Sequence, residues 1–418
     1  MSTVATRRGH VVLVTHHYAP ERGAPQSRWN ELARHFAAAG VTLSVLTPPP
    51  HYPTGQLQTD NPLQQPGMSH RGEHGERVVR VAYRPHSPRL VSRTIDQMVA
   101  AWSSVQRSRD ISWPPPSVVI ATVPGIPSMF AGAAIARRFK VPFVVEMRDA
   151  WPDLIQPSKI LESRRPSRVK AYITALAHRS ISRLQSRADL VVTTTESFAE
   201  ILHERGVRKV AVVRNGTTWT EVSPPPTAGR PGIDRPLRAV YAGTIGRAQG
   251  LGTVVEAAAL AAERGLLLEV RIVGAGADVP ALRRQIQSLD APVTLHDRVS
   301  REEMVDLYAW ADTSIVSLRD WEPLKWTVPS KLYEVIASGN PVTAAAAGEA
   351  AEIVESLDAG VVVPPEDSEA LAEAWLAWAD AGVLPKPSTR ALAWVEANAK
   401  PDQLAQQYLT ALDEIGGL

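Results

Sequence analysis

In the segment PSKLYEVIASGNPV, Pro329 to Val342, a single carboxylate, Glu334, sits among Leu332, Val335 and Ile336, which recur at helical spacing. A carboxylate beside a packing face needs a partner, because an unpaired buried charge is costly. The two hydroxyls of a ribose suit it, since a carboxylate offers two accepting oxygens; the competing reading is an αβ corner with a solvated Glu. Pro329 belongs to a helix start, and Ser330 just after it is polar enough to contact a ligand. Gly339 then closes the helix, and Asn340-Pro341 turns the chain into the strand PVTAAA.

Five other runs carry residues with chemical potential. In YAPERGAPQSR, Gly23 and Ala24 open a helix whose backbone N–H groups are able to meet a phosphate, and Arg28 lies one turn further on, within reach of an anionic group. The competing reading is a surface loop with a solvated Arg. In LTPPPHYPTG the prolines stiffen the exit from a strand, and the run reads equally as a structural element or as one from which His51 and Tyr52 project toward a cleft. In VVEMRDAWPD a buried strand ends on Arg148 and Asp149. Arg148 stays protonated and is no base, but it suits holding a phosphate or orienting Asp149. A structural Arg–Asp pair capping the next helix is the alternative. The Gly-rich run YAGTIGRAQGL, with Gly243 and Thr244, follows a strand and permits close approach to a pyrophosphate. RIVGAGADVP has Gly274 and Gly276, but Val279 stands where a dinucleotide fingerprint needs its third glycine.

The elements that must position these residues alternate regularly. HVVLVT, VTLSVLT, VRVAYR, SVVIAT, PFVVEM, LVVTTT and VAVVRN read as buried strands with helices between most of them. That pattern implies a parallel sheet covered on both faces. Punctuation then concentrates in EVSPPPTAGRPGIDRP, Glu221 to Pro236, a linker composition. The alternation restarts with LRAVYAG, LEVRIVG, VTLHDR and TSIVSL. Two βαβ domains follow, with ligands expected at the carboxyl ends of their strands. One stretch, His51 to Glu76, is long and polar and reads as a functional or unstructured loop.

At 418 residues the chain has room for two full cores. Its net charge of +2 names no partner, and with no cysteine it holds no disulfide, thiolate metal site or Cys nucleophile. The N-terminus runs directly into a strand without a signal-peptide pattern, and no run is apolar enough to span a bilayer. The expected location is cytoplasmic. From 163 to 188 there is no acidic residue among many Arg, and apolar residues recur at helical spacing. This reads either as a peripheral contact with anionic membrane or as a core-packed helix with an Arg-rich solvated face. No reading motif or aromatic interleaving for nucleic acid is present.

Taken in order, YAPERGAPQSR, HYPTG, RDAWPD, GTIGRAQGL and PSKLYE resemble the segments of retaining GT-B glycosyltransferases of the family 4 type, in the subgroup that builds colanic acid, O-antigen and capsule. The resemblance covers nearly the whole chain. It implies an α/β fold of GT-B class, with two Rossmann-like domains whose parallel sheets face each other across a cleft. The domains are residues 1–220 for acceptor and 237–390 for nucleotide sugar, with 391–418 a C-terminal helix packing back on the first. It implies sugar transfer from a nucleotide diphosphate donor, UDP favoured, to a hydroxyl of a polyprenyl-linked saccharide at the inner face of the membrane. Gly23, Ala24, Gly243, Thr244, Gly274, Gly276, Ser330 and Glu334 then serve the donor, with Arg298 and Val299 flanking the base. Asp149 and Arg148 lie near the anomeric centre, and His51, Tyr52 and Arg28 serve the acceptor.

The sequence departs from the family in two places. The usual Arg/Lys phosphate pair is replaced by Gly243 and Gln249-Gly250, leaving Arg247 and Lys331 as substitutes. The first Glu of the Glu-x7-Glu motif is Trp326, so Glu322, Lys325 and Thr327 become candidate sugar contacts. No Asp-x-Asp pair is present, and the expected chemistry uses neither a cofactor nor a metal. A UDP-sugar 2-epimerase of the same fold and a non-catalytic nucleotide-sugar-binding protein are the competing readings.

Overall fold

The structure, a computed structural model, describes residues 8–21, 23–52, 54–87, 89–111, 114–155, 168–222, 229–382, 384 and 387–418. The chain forms two compact units, residues 1–214 with 401–418, and residues 215–400.

The first unit runs β1 (Gly9–Val14), α1 (Ala24–Ala38), β2 (Val41–Thr47), β3 (Ser69–Arg71), β4 (Arg77–Arg80), α2 (Leu90–Arg107) and β5 (Val118–Val123). It continues α3 (Ile126–Phe139), β6 (Phe143–Met147), α4 (Arg168–Arg187), β7 (Leu190–Thr193), α5 (Glu196–Glu204) and β8 (Val210–Val212). The sheet order is β3-β4-β2-β1-β5-β6-β7-β8. All neighbours are parallel except β3 and β4. β5 is buried at every position, as a sheet with both faces covered requires.

The second unit holds β9 (Leu237–Thr244), α6 (Gly252–Glu263), β10 (Leu268–Ala275), α7 (Val279–Leu289), β11 (Val293–His296), α8 (Arg301–Trp310) and β12 (Thr313–Ser317). After these come α9 (Glu322–Lys325), α10 (Ser330–Ser338), β13 (Val342–Ala345), α11 (Glu349–Ser356), β14 (Gly360–Val363), α12 (Ser368–Ala381) and α13 (Thr389–Asn398). Its sheet is wholly parallel, in the order β11-β10-β9-β12-β13-β14. The last helix, α14 (Pro401–Asp413), belongs to the first unit. There Tyr408 packs edge-on against Trp29 and Phe36, at ring-centroid distances of 5.8 Å from each.

The unit boundaries fall elsewhere than residues 220 and 390. Thr217 N–H donates to the Ala399 carbonyl (2.8 Å) and Lys400 Nζ to the Trp219 carbonyl (3.1 Å), which ties Asn215–Val222 and α13 into the second unit. Residues 401–418, rather than all of 391–418, join the first. The stretch read as a long loop carries a strand: Ser69–Arg71 pairs antiparallel with β4. Three polar, largely exposed residues give no apolar alternation to reveal it.

Of the basic segment, 163–167 lies outside the described residues. In the carboxyl half of α4, Ile181 and Gln185 are buried, as is Ala188 just after it, while Arg179, Arg183 and Arg187 are exposed, the pattern of a core-packed helix with a basic outer face. Leu176 is also exposed. No helix among the described residues is long and apolar enough to cross a membrane.

Candidate active-site residues in the two units

In an open parallel sheet the ligand crevice opens where the strand order reverses, which here is between β9 and β12 in the second unit. The β9 loop lies at that point. Ser317 Oγ donates to the Gln249 carbonyl (2.7 Å), Arg319 N–H to the Ala248 carbonyl (2.9 Å) and Arg319 Nε to the Arg247 carbonyl (2.7 Å). Arg319 also pairs with Glu366 at 2.8 Å. Its guanidinium is therefore a brace, and the Arg247 side chain above it stays exposed. Sequence reading missed this brace because Arg319 lies far along the chain from the loop it holds.

Gly274 and Gly276 have a packing reason of their own. A Cβ on Gly274 would lie 1.8 Å from the Gly243 carbonyl oxygen, and one on Gly276 would lie 1.9 Å from that of Ile245. Ile245 N–H also donates to the Ala275 carbonyl (3.0 Å). The two loops at the strand ends therefore touch backbone to backbone. Thr244 is exposed beside them.

Glu334 lies on α10, half-buried. Tyr308 Oη (3.1 Å) and Lys331 Nζ (2.7 Å) both donate to its Oε1. Among the described residues no donor reaches Oε2, so one oxygen is spent and one is available. Burial, and then the neighbouring Glu334 carboxylate, push the Tyr308 hydroxyl well above its ordinary pKa, which keeps it a donor. Tyr308 is set by the ring of Trp219, edge-on at 5.1 Å, and Asn340 Nδ2 donates to its carbonyl at 3.0 Å. Ser330 opens α10, with Pro329 as its N-cap. Arg298 is exposed and Val299 half-buried, just before the capping box that Ser300 and Glu303 form on α8. Of the candidate sugar contacts, Lys325 pairs with Glu322 at 2.7 Å and Thr327 Oγ1 donates to the Pro323 carbonyl at 3.1 Å.

In the first unit the order reverses between β1 and β5. Gly23 precedes α1 in extended conformation, and Ala24 is the first helical residue, whose N–H lies in the turn without intrahelical partners. Glu21 ties this loop to the one after β2: its Oε1 accepts from the N–H groups of His51 (2.8 Å) and Tyr52 (2.9 Å), and its Oε2 from Gln26 Nε2 (2.9 Å). Burial opposes ionisation of Glu21, yet His17 and these backbone donors hold its carboxyl at about 2.

Two expectations are corrected here. Arg28 does not reach outward. Its Nε donates to Glu146 Oε1 (2.9 Å), and its terminal nitrogens donate to the carbonyls of Arg214 (2.6 Å) and Val213 (2.9 Å). Its donors are used inside the unit, because Glu146 sits buried in the middle of the sheet and needs a cation. His51 does not project either. It is 1% exposed and turned inward among His16, Tyr83, His86 and Asp96. Tyr52 remains half-buried, edge-on to His17 at 5.3 Å.

Arg148 and Asp149 follow β6 directly, both half-buried. Among the described residues the Asp149 carboxylate accepts no hydrogen bond, and Arg148 Nε is buried without a partner. Desolvation raises the Asp149 carboxyl and the Arg148 charge opposes that rise. A helix-capping ion pair would have used both groups.

Two family models match the chain: a glycosyl transferase 4-like domain over residues 23–216 and a glycosyl transferases group 1 domain over 236–380. Among curated relatives, the colanic acid biosynthesis glycosyl transferase WcaI of Escherichia coli K12 is 24% identical over 416 residues, 94% of this chain and 97% of that protein. The colanic acid biosynthesis glycosyltransferase WcaL of the same organism is 28% identical over 192 residues, and the match spans 45% of this chain and 47% of WcaL. Among solved structures, sucrose-phosphate synthase from Thermosynechococcus elongatus aligns with a TM-score of 0.71 at 18% identity, covering 98% of this chain and 99% of that one. Anabaena HepE in complex with UDP-glucose aligns with a TM-score of 0.67 at 16% identity, covering 97% of this chain and 100% of that one. These likenesses establish the GT-B fold. With the two domain models in succession and the curated relatives, the chain belongs to the family 4-type glycosyltransferases.

Proposed function

We propose that this glycosyltransferase moves a sugar from a nucleoside diphosphate, uridine favoured, to a hydroxyl of a lipid-linked saccharide in cell-surface polysaccharide assembly, with retention at the anomeric carbon. The observation that carries the reading is Glu334: Oε1 is fixed by Tyr308 and Lys331, and Oε2 is available to a ribose hydroxyl. The UDP complexes of HepE and the colanic acid relatives support the donor and the pathway class.

In this reading the start of α10 and the β9 loop receive the diphosphate. Lys331 has three donor hydrogens, of which Glu334 takes one, and Arg247 is exposed at the loop edge. Basic side chains and helix N-termini stabilise the leaving diphosphate where negative charge develops, so no metal takes part in the transfer step. Retention follows from front-face attack, in which the acceptor hydroxyl gives its proton to the departing phosphate oxygen as the glycosidic bond forms. Positioning then matters more than a strong base. Asp149, accessible and without a hydrogen-bond donor, stabilises positive charge at the anomeric carbon or holds a sugar hydroxyl, with Arg148 beside it. The enzyme works at the cytoplasmic membrane face, where the exposed arginines of α4 meet anionic lipid.

The test is thermal unfolding against UDP, GDP, dTDP, CMP, ADP and NAD, followed by product analysis with the matching sugar nucleotide. A selective rise with UDP is expected, since a ligand bound only by the native state raises the midpoint. Products should need acceptor and keep the donor's anomeric configuration. Conversion of donor alone would make it an epimerase, and binding without turnover on a broad acceptor panel would make it a non-catalytic binder.

A further inference from the structure

We propose that His16, His51, His86 and Asp96 form a buried transition-metal site of the zinc type, which staples the loops of the first unit together. His16 follows β1, His51 follows β2, His86 precedes α2 and Asp96 lies within α2. Ligands drawn from four places have no spacing motif, which is why the sequence suggested no metal. His16, His51 and Asp96 are all buried, and their ligand atoms lie within 4.8 Å of one another.

The Asp96 carboxylate is divided in the way a metal ligand is. Oδ1 accepts from the Arg84 N–H at 2.8 Å. Oδ2 is buried without a hydrogen-bond partner, although His16 Nε2 lies 3.1 Å away, His51 Nε2 3.3 Å and His86 Nε2 3.9 Å. The nitrogens are close but not aligned as donors. Zinc bonds of about 2.0–2.1 Å set tetrahedral ligand atoms roughly 3.3–3.4 Å apart. The two shorter separations fit such an edge, and the third reaches it with a shift of about half an ångström.

Two of the imidazoles are held with Nε2 on the Asp96 side. His51 Nδ1 lies 2.7 Å from the Pro49 carbonyl and His86 Nδ1 lies 3.0 Å from that of Ser87. A carbonyl only accepts, so both Nδ1 atoms carry the hydrogen, and in the neutral ring Nε2 is left with its lone pair. A backbone carbonyl fixing one ring nitrogen while the other binds metal is the usual outer-shell arrangement of a ligating His. With Nε2 unprotonated in these rings, the buried Asp96 Oδ2 beside them is left without a donor, and a cation among them supplies its partner. Four protein ligands close the site, so the ion is structural. It would hold the β1 and β2 loops and α2 in register, apart from the chemistry of the donor.

The experiment uses the full chain, purified without a polyhistidine tag from zinc-supplemented culture, with metal measured by plasma mass spectrometry. One equivalent of zinc per chain is expected. After chelation and loading with Co²⁺ the protein should show the intense visible d–d bands of a tetrahedral ion. Asp96→Asn and His51→Gln should each lose metal affinity by more than the roughly ten- to hundred-fold typical of removing an outer-shell partner. His35→Ala, at a half-buried position of α1 outside the cluster, should leave metal binding unchanged. Two results overturn the proposal: wild-type protein that takes up neither zinc nor tetrahedral cobalt, or folded variants that keep the metal. The wild-type spectrum decides the matter even where a variant fails to fold. It is also independent of the response to UDP, so loss of one reading leaves the other standing.

Discussion

Glu146 and Glu334 are both carboxylates set beside a cation and an aromatic donor, one in each unit, and they differ in how many oxygens are spent. Glu146 is fully buried, with Arg28 Nε on Oε1 (2.9 Å) and Trp29 Nε1 on Oε2 (2.7 Å). Glu334 keeps part of its side chain exposed and takes both of its bonds on Oε1. A carboxylate satisfied on both sides is architecture, since nothing remains to offer a ligand. One held on one side only is oriented yet unfinished, which suits a group that completes its bonding with substrate.

The largest effect should therefore come from Glu146. Glu146→Ala leaves the Arg28 charge buried beside an unpaired Trp29 N–H, a loss of about 3–5 kcal/mol. For a unit of this size that lowers the unfolding midpoint by roughly 10 °C. Calorimetry of the full chain would show it. A variant with an unchanged midpoint would mean that the Arg28–Glu146 pair carries no structural burden.

Glu334→Ala should invert that profile. Its ion pair with Lys331 is partly exposed, so folding should change by less than about 1 kcal/mol. Loss of a charged acceptor for a ribose hydroxyl should cost about 1.5–3 kcal/mol of donor affinity, roughly ten- to hundred-fold. Titration calorimetry with UDP on the folded variant checks this, and unchanged affinity would remove the ribose assignment. Tyr308→Phe tests the orienting half. Removing one neutral donor to Oε1 should weaken UDP by about 0.5–1.5 kcal/mol. In the Glu334→Ala background the same change should have little effect, because the two act through one carboxylate. Additive losses would separate Tyr308 from the ligand.

The contrast explains which parts of the sequence could be read. Strands such as β1, β5, β9 and β12 announce themselves as short apolar runs, and the order of the two βαβ series follows from their spacing. Glu334 was legible because one charge interrupts an apolar stripe inside nine residues of helix. Arg28 was misread because its partner is 118 residues away, and a charged residue near a helix start looks free until the fold supplies the other charge. Asp96 was passed over for the same reason: the histidines that surround it come from three separate loops. Gly274 and Gly276 were noticed but only half explained, since the opposing carbonyls of Gly243 and Ile245 belong to another strand and the loop that follows it. Local pattern encodes elements and interruptions. Pairings across the sheet are encoded only in the tertiary contacts.

Asp149 is a third carboxylate and sharpens the comparison, because it accepts no bond among the described residues and folding raises its pKa through desolvation, opposed by Arg148. The sign follows from linkage. A carboxyl raised on folding contributes stability that is fully present below its unfolded pKa, about 3.9, and lost as pH rises through the folded value. At neutral pH the native protein therefore carries the cost of an ionised, partly desolvated group. Asp149→Asn removes that cost, so the variant should be slightly more stable than the parent at neutral pH, with the advantage disappearing in acid. Transfer activity should fall at the same time if the carboxylate serves the anomeric centre. Urea unfolding at a series of pH values, paired with turnover at each, reads both. A variant less stable at neutral pH would show that Asp149 is a structural partner of Arg148, as satisfied as Glu146, and would leave the first unit without an available carboxylate at the end of β6.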